Sequence, residues 1–346
     1  MKTTSNLLSK REGNILAATV KDYIQTATPV ASSRVKDVYR FALSPATIRN
    51  TMAALERSGY LTHPHTSAGK VPTDKGYRTY VDMLMNVKEL DADQAAQVES
   101  YLEEISGELD QLMRMVAHII ARLCGGVGIT IAPGCHQSRL RSIRLVNVSH
   151  QRMLFILDLD GSGIRTVMVE AKWTVEGLQL ITLEEILNER LGGLTLEEIE
   201  ATVGSRLEGT LADDLGITTL ILDHSNALFN EPTHGDLYFY GLKQALTCPE
   251  FIDQENVVAL LGLIENEGLL RTLLLKSAYG EGLTVTIGGE HGDEQLATFA
   301  TISRSFCYSG TVGTMALLAP KRVNYPRVIA ALDFISTTVS RLSGER

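Results

Sequence analysis

The segment Ser44–Tyr80, SPATIRNTMAALERSGYLTHPHTSAGKVPTDKGYRTY, admits few folds. Ser44 is a favoured N-cap, because its hydroxyl can accept a hydrogen bond from a backbone N–H orphaned at a helix start. Pro45 follows at the first helical position, where its missing N–H costs nothing. Gly59 closes the helix, since glycine enters the left-handed region without a Cβ clash. Tyr60-Leu61-Thr62 is strand-like, and the run from His63 to Lys70 is too rich in Pro, Gly, Ser and Thr for a helix. Val71-Pro72 resumes an extended path, and Thr73 or Asp74 caps a helix from Lys75 to about Val87. Helix, stop, strand and basic loop, in that order, form the second half of a winged helix-turn-helix. Such a unit sets one helix in the major groove of DNA while its loop rests on the adjoining groove or phosphate.

The helix has two faces. Ile48, Met52 and Leu55 fall on a buried stripe. At about 100° per residue, Ala46, Asn50, Ala53 and Arg57 lie opposite, flanked by Thr47 and Arg49. The alanines allow close approach to a surface. Asn50 can bond adenine in bidentate fashion, Arg49 can take guanine or phosphate, and Thr47 offers hydroxyl or methyl. Ser44, Arg57, His65, Lys70 and Arg78 are candidates for phosphate or minor-groove contact. An amphipathic helix with a merely solvated polar face has the same pattern, so the flanks matter.

Upstream, Ile15, Leu16, Val20 and Ile24 recur at helical spacing within Ser9–Thr26, Thr28-Pro29-Val30 breaks the chain, and Ser32 or Ser33 caps a short helix through Tyr39. Three helices joined by short turns fit a tri-helical core. Residues 1–88 carry 13 Lys+Arg against 6 Asp+Glu, about +7, whereas the whole chain is −9. The rest is therefore about −16. A basic head on an acidic body confines polyanion binding to the head.

The same residues carry a family resemblance. Ala46–Asn50, Leu55-Glu56, Gly59–Leu61, Pro64–Gly69 and Gly76–Arg78 resemble the signature of the heat-inducible transcription repressor HrcA family. The resemblance continues more weakly after residue 90 and strengthens at Thr284–Glu290 (TVTIGGE) and Ala319–Tyr325 (APKRVNY). Lys70 stands where the family usually has Arg, which keeps the charge and loses the guanidinium fork. Ala319–Val323 departs from an expected Gly-Pro-Thr-Arg-Met.

The resemblance implies an α+β chain: an N-terminal winged helix-turn-helix, then a GAF-like α+β domain interrupted by an inserted dimerisation domain. The expected divisions are 1–88 for the head, 89–174 and 246–346 for the GAF-like domain, and 175–245 for the insertion. It implies a homodimer that represses chaperone operons at an inverted-repeat operator and is kept active by the GroE chaperonin. A small-ligand-gated regulator sensing through its GAF-like domain is the alternative.

Local patterns fill in the body. Leu90–Leu123 reads as one long linker helix able to pair with its mate in a dimer, stopped by Gly125-Gly126. Strands are expected at Val127–Ala132, Leu140–Val148, Met153–Leu159 and Ile164–Val169, the last two joined through the Asp160–Gly163 turn. Helical sequence follows over about 176–230, then a strand at Leu237–Tyr240 and one long helix from Gln254 to Lys276. Strands at Leu283–Ile287, Leu296–Tyr308 and Thr311–Leu318 precede a last helix over about 325–342.

No secretory h-region or spanning apolar run is visible, and Cys124, Cys135, Cys248 and Cys307 are scattered, as reduced and mostly buried thiols of a cytoplasmic protein would be. Catalytic patterns are weak. His63 and His65 have no ligand partners at metal spacing, Cys135-His136 would point to opposite faces of a strand, and Gly161-Ser162-Gly163 lacks nucleophile-elbow spacing. Gly288-Gly289-Glu290 lacks a phosphate-loop Lys-Ser/Thr. The expectation is a DNA-binding protein that is not an enzyme, without metal or cofactor and without a membrane segment.

Overall fold

The computed structural model of the chain describes residues 8–64, 69–105, 109–133, 139–149, 152–160, 163–170, 177–229, 237–278, 282–308 and 311–344. His65, Cys135, His136 and the Gly161-Ser162 turn lie outside them.

Helix α1 (Lys10–Thr26) starts in a capping box, in which the Ser9 hydroxyl accepts from the Glu12 N–H and the Glu12 carboxylate accepts from the Ser9 N–H. α2 (Ser32–Tyr39) follows, with Ala31 at the N-cap and no side-chain cap bond, so neither Ser32 nor Ser33 plays the capping role expected of it. α3 (Pro45–Arg57) has Ser44 as its N-cap, and Gly59 at φ +77° turns the chain out of it. β1 (Leu61–Thr62) pairs antiparallel with β2 (Val71–Pro72), and Val30 bridges Lys70 on the far side of β2. α4 (Asp74–Thr79) passes into a π turn, Tyr80–Leu84, which ends three residues short of the expected Val87.

Where one linker helix was expected there are two, α5 (Ala92–Ile105) and α6 (Leu109–Cys124), packed on each other. The apolar side of α6 is buried, with Leu112, Met113, Val116 and Ile120 fully covered within the subunit, so it offers no free stripe to a mate.

The chain then enters β3 (Val127–Ile131) of one sheet but builds β4 (Leu140–Ser149), β5 (Arg152–Leu159) and β6 (Gly163–Glu170) into another, ordered β4-β5-β6 and antiparallel. Their alternation is why a second core can form: Leu145, Phe155 and Leu157 point inward and close against α7 (Gly177–Leu191) and α8 (Leu196–Leu207) through Leu183, Leu187, Ile199 and Val203. Short helices α9 (Leu211–Asp214), α10 (Ile217–Asp223) and α11 (Ser225–Leu228) complete that unit.

β7 (Leu237–Tyr240) returns to the first sheet, pairing with β3. After α12 (Leu242–Ala245) come α13 (Gln254–Glu265) and α14 (Glu267–Ala278), a pair of helices where one was expected, because Asn266 stops the first with non-helical backbone. β8 (Leu283–Ile287), β9 (Phe299–Tyr308) and β10 (Thr311–Pro320) finish the sheet, and α15 (Tyr325–Gly344) ends the described chain. Its order is β7-β3-β10-β9-β8, every pair antiparallel. Counting only its own strands along the chain, that is 2-1-5-4-3.

The sheet has a core on each face. Val127, Ile129, Phe299 and Leu318 pack under α13 and α14, while Met315, Leu317 and Ile302 pack with α6 and α15. The second of these cores runs without a break into the head, taking in Ile15, Ile48, Leu55, Tyr77 and Tyr80. The chain is thus a mixture of helix and sheet, α+β in class.

The packing divides differently from the expected 175–245. β4, β5 and β6, expected in the larger domain, sit instead in the inserted unit, whose core spans Leu140 to Phe229. β7, expected in the insertion, is a strand of the main sheet. Periodicity assigns a strand's faces but not its partners, so alternation alone could not separate the two sheets. Of the cysteines, Cys124 and Cys248 are half-buried and Cys307 is exposed, less covered than expected. Among the described residues no helix is long and apolar enough to cross a membrane.

Candidate nucleic-acid interface

The Ser44 hydroxyl accepts from the Thr47 N–H at 3.1 Å and meets the Thr47 hydroxyl at 2.9 Å, so α3 begins at a fixed place. Ile48, Met52 and Leu55 are buried beneath it. Opposite, Ala46, Arg49, Asn50 and Arg57 are exposed and Ala53 is half-buried. Arg49, Asn50 and Arg57 make no side-chain hydrogen bond or ion pair with another described residue. Ser44 is exposed and Thr47 half-buried beside them. The helix therefore presents two alanines, an amide and two guanidiniums outward on a rigid base.

The loop after β1 is tied to this helix through one carboxylate. Glu56 accepts from the Lys70 ammonium at 2.5 Å and from the His63 ring. The hydrogen bond from Lys70, and then that from His63, hold the Glu56 carboxyl below its ordinary range. A depressed carboxyl stabilises the fold above its unfolded pKa, so this tie weakens only as pH falls through the lower value. Backbone bonds of 2.9 Å in both directions between Val30 and Lys70 anchor the other side of the loop. A Cβ on Gly69 would lie 2.6 Å from the Pro29 carbonyl, which explains a glycine there. Lys70 was expected to be free for phosphate; its ammonium is engaged by Glu56.

The far end of α3 is locked to α4. The Thr73 hydroxyl donates to the Gly59 carbonyl at 2.7 Å, and Lys75 donates to the Ser58 carbonyl at 2.8 Å while lying over the Tyr60 ring. Gly76 sits so close to Tyr60 that an added Cβ would be 2.2 Å from its carbonyl oxygen. Backbone cannot yield as a side chain can. Gly76→Ala is expected to cost about 1–3 kcal/mol by overpacking, read as a lower midpoint in a thermal melt of the full chain.

Arg78 does not face outward. Its guanidinium grips Glu290 with bonds of 2.9 and 2.5 Å, reaches the Val285 carbonyl at 2.5 Å and touches Asp82 at 3.1 Å. Arg78, a candidate for phosphate or minor-groove contact, here bonds the head to the body. Asp74, which the sequence offered only as an alternative helix cap, accepts from the Gly289 N–H at 2.9 Å and from Lys321 at 2.6 Å. Arg322 donates to the Ile24 carbonyl at 2.7 Å and pairs with Glu250. The rings of Tyr77 and Tyr325, both buried, meet between these pairs with centroids 6.0 Å apart. The only sequence signal was the pair of C-terminal segments, TVTIGGE and APKRVNY, which supply Glu290, Lys321 and Arg322.

Among the described residues no group of three or more His, Cys, Asp or Glu could hold a metal ion.

With this geometry in place, likeness to known proteins is informative. The family model for the HrcA protein C terminal domain matches residues 110–329. A heat-inducible transcription repressor HrcA of Pelotomaculum thermopropionicum is 33% identical over 337 residues, covering 97% of each chain. One from Chlorobium chlorochromatii is also 33% identical over 337 residues, covering 96% of this chain and 97% of its own. A crystal structure described only as a hypothetical protein at 2.2 Å resolution is 26% identical, covers 98% of this chain and 99% of its own, and superposes with a TM-score of 0.61.

Proposed function

This chain belongs to the HrcA family of heat-inducible transcription repressors, and from that premise we propose that it acts as a homodimer on an inverted-repeat operator ahead of chaperone genes. The observation that carries the reading is the outward face of α3, where Arg49, Asn50 and Arg57 stand exposed without partners among the described residues. The three helices and the β1–β2 ribbon make a winged helix-turn-helix, with α3 in the major groove. Thr47, Arg49 and Asn50 read base edges. Ser44, Arg57 and the wing residues His65 and Lys70 contact phosphate or the minor groove, Lys70 by exchanging Glu56 for DNA.

The body serves to couple two heads. The 2-1-5-4-3 antiparallel order agrees with a GAF-like domain, and the unit from Leu140 to Phe229 is its insertion. The outer face of β4-β5-β6 supports a dimerisation role: Val146, Leu154 and Met168 are cross-strand neighbours there, and Ile164 lies further along the same face of β6, across from Asp158. Ile164 is 72% exposed and Met168 49%. A sheet face of this composition is the kind a second copy covers. The GroE chaperonin is the partner proposed to keep the repressor active; the shared core supports this, since loss of body structure removes the packing beneath the head.

A small ligand held within the sheet domain is less well supported. Phe251, Leu260, Leu263 and Phe299 fill the layer between the sheet and α13–α14, and the cavities lie outside that layer: about 700 Å³ between α1 and residues 84–91, about 530 Å³ beside α13, and about 260 and 240 Å³ around Arg322.

Footprinting the full chain on the promoter of its chaperonin genes tests the function. The expected result is a protected inverted repeat whose occupancy rises when chaperonin is supplied during refolding. Uniform weak protection with no repeat would reject the reading.

A further inference from the structure

The head bonds to the body at two places that share the consecutive residues Lys321 and Arg322. At one, α4 gives Asp74 and Arg78 to the turn at Val285–Glu290 and to Lys321. At the other, Arg322 holds the Ile24 carbonyl near the end of α1. The body residues at both, Val285–Glu290 and Lys321-Arg322, lie far in sequence from the covalent connection between head and body, which runs through residues 85–91 just after α4. The buried Tyr77–Tyr325 contact holds head and body together, and the two-pronged bond of Arg78 to Glu290 beside it sets the angle between them.

The grip is built rather than incidental. Gly288 adopts φ +54°, and a Cβ there would fall 2.3 Å from the Asp74 carboxylate, so the turn is shaped to admit that side chain. Glu290 is positioned by the Ile287 N–H at 2.9 Å and then accepts Arg78 through both oxygens. The carboxylate–guanidinium pair is bidentate, which fixes orientation and not only distance. From α4 the path to α3 is equally stiff, through Thr73 and Lys75 on the Gly59 and Ser58 carbonyls.

We infer that the clasp formed by Arg78–Glu290 and Asp74–Lys321 determines which spacing between operator half-sites the dimer accepts. These are positioning residues: they touch no DNA but set the pose of each α3 relative to the dimer axis. The inference rests on the dimeric operator-binding reading above. Half-sites are read about one helical turn apart or at multiples of it, so a head fixed in pose penalises every other separation. A head free to swivel would not.

The test uses the full-length protein and changes only body residues, Glu290→Gln with Lys321→Met. Glutamine retains an acceptor for the Ile287 N–H, so the turn keeps its cap. Affinity is measured for a single half-site and for a panel of operators whose spacer varies base pair by base pair over one turn. The wild type is expected to favour one spacing by about tenfold or more, in line with the coupling given by linked binding events. In the double variant, half-site affinity is expected to stay within about twofold and the spacing preference to flatten to below about threefold. Lys321→Arg alone is expected to keep the wild-type profile. A double variant that retains the wild-type spacing profile overturns the inference. So does one that loses half-site and spaced affinity in parallel, since the clasp would then support the fold of the head rather than its pose. A flat wild-type profile from a protein that sediments as a monomer rejects the dimer reading itself, and the inference with it.

Discussion

Met168→Glu yields a monomer and lowers affinity for the inverted-repeat operator about 10²–10⁴-fold, while affinity for a single half-site is nearly unchanged. Met168 lies in mid-strand on the outer face of the inserted sheet, opposite Leu154, which in turn lies opposite Val146. In a free subunit the new carboxylate is solvated and costs little, because Met168 is already 49% exposed. Between two copies it would be stripped of water among Val146 and Leu154, which is far more costly than the mere removal of a methionine side chain. The effect on DNA follows from linkage: once one head is bound, the second binds intramolecularly, and that advantage vanishes with the dimer. Sedimentation and operator titration on the same sample check both parts. A dimer that persists with unaltered operator affinity places the interface elsewhere.

Asn50→Ala lowers operator affinity about 5–150-fold per half-site, corresponding to about 1–3 kcal/mol for one bidentate base contact, and leaves binding to unrelated DNA almost unaltered. Asn50 is exposed on α3, one turn from Ala46, whose small side chain lets the helix approach a groove floor closely. The substitution removes a donor and an acceptor without touching Ile48, Met52 or Leu55, so the helix keeps its buried side. Arg57→Ala makes a useful contrast. Removing a guanidinium that pairs with phosphate weakens binding to all sequences alike and reduces the slope of affinity against salt. If Asn50→Ala behaves like Arg57→Ala, with equal losses on operator and random DNA, α3 does not read bases.

The head was legible in the sequence because its boundaries are chemical. Ser44, Pro45 and Gly59 mark α3 by capping and backbone freedom, and those rules act within a few residues. The body was legible as elements but not as an assembly. β4, β5 and β6 alternate as well as β3 does, and nothing in the alternation says that one group pairs only within itself. The second long helical pattern broke at Asn266, a residue that a helix tolerates or ends on according to what packs nearby.

Of the candidate contact residues, Arg49, Asn50 and Arg57 on α3 stand exposed in line with their helical phase and Thr47 is half-buried, whereas Lys70 and Arg78 were chosen for their charge and place in the chain. Charge does not reveal a distant partner. Glu56 is 14 residues from Lys70, and Glu290 is 212 residues from Arg78. The likeness of TVTIGGE and APKRVNY to family segments had no assigned purpose in the sequence; in three dimensions both close on α4.

The register of β3 and β7 has one more implication. Ile131, where the chain departs for the inserted unit, lies directly across from Leu237, where it comes back. Adjacent antiparallel strands are only about 5 Å apart, so a tight two-residue turn spans that opening. The whole excursion is thus an appendage grafted onto the tip of a hairpin. It can be trimmed away or exchanged without asking the parent sheet to re-pair a single strand.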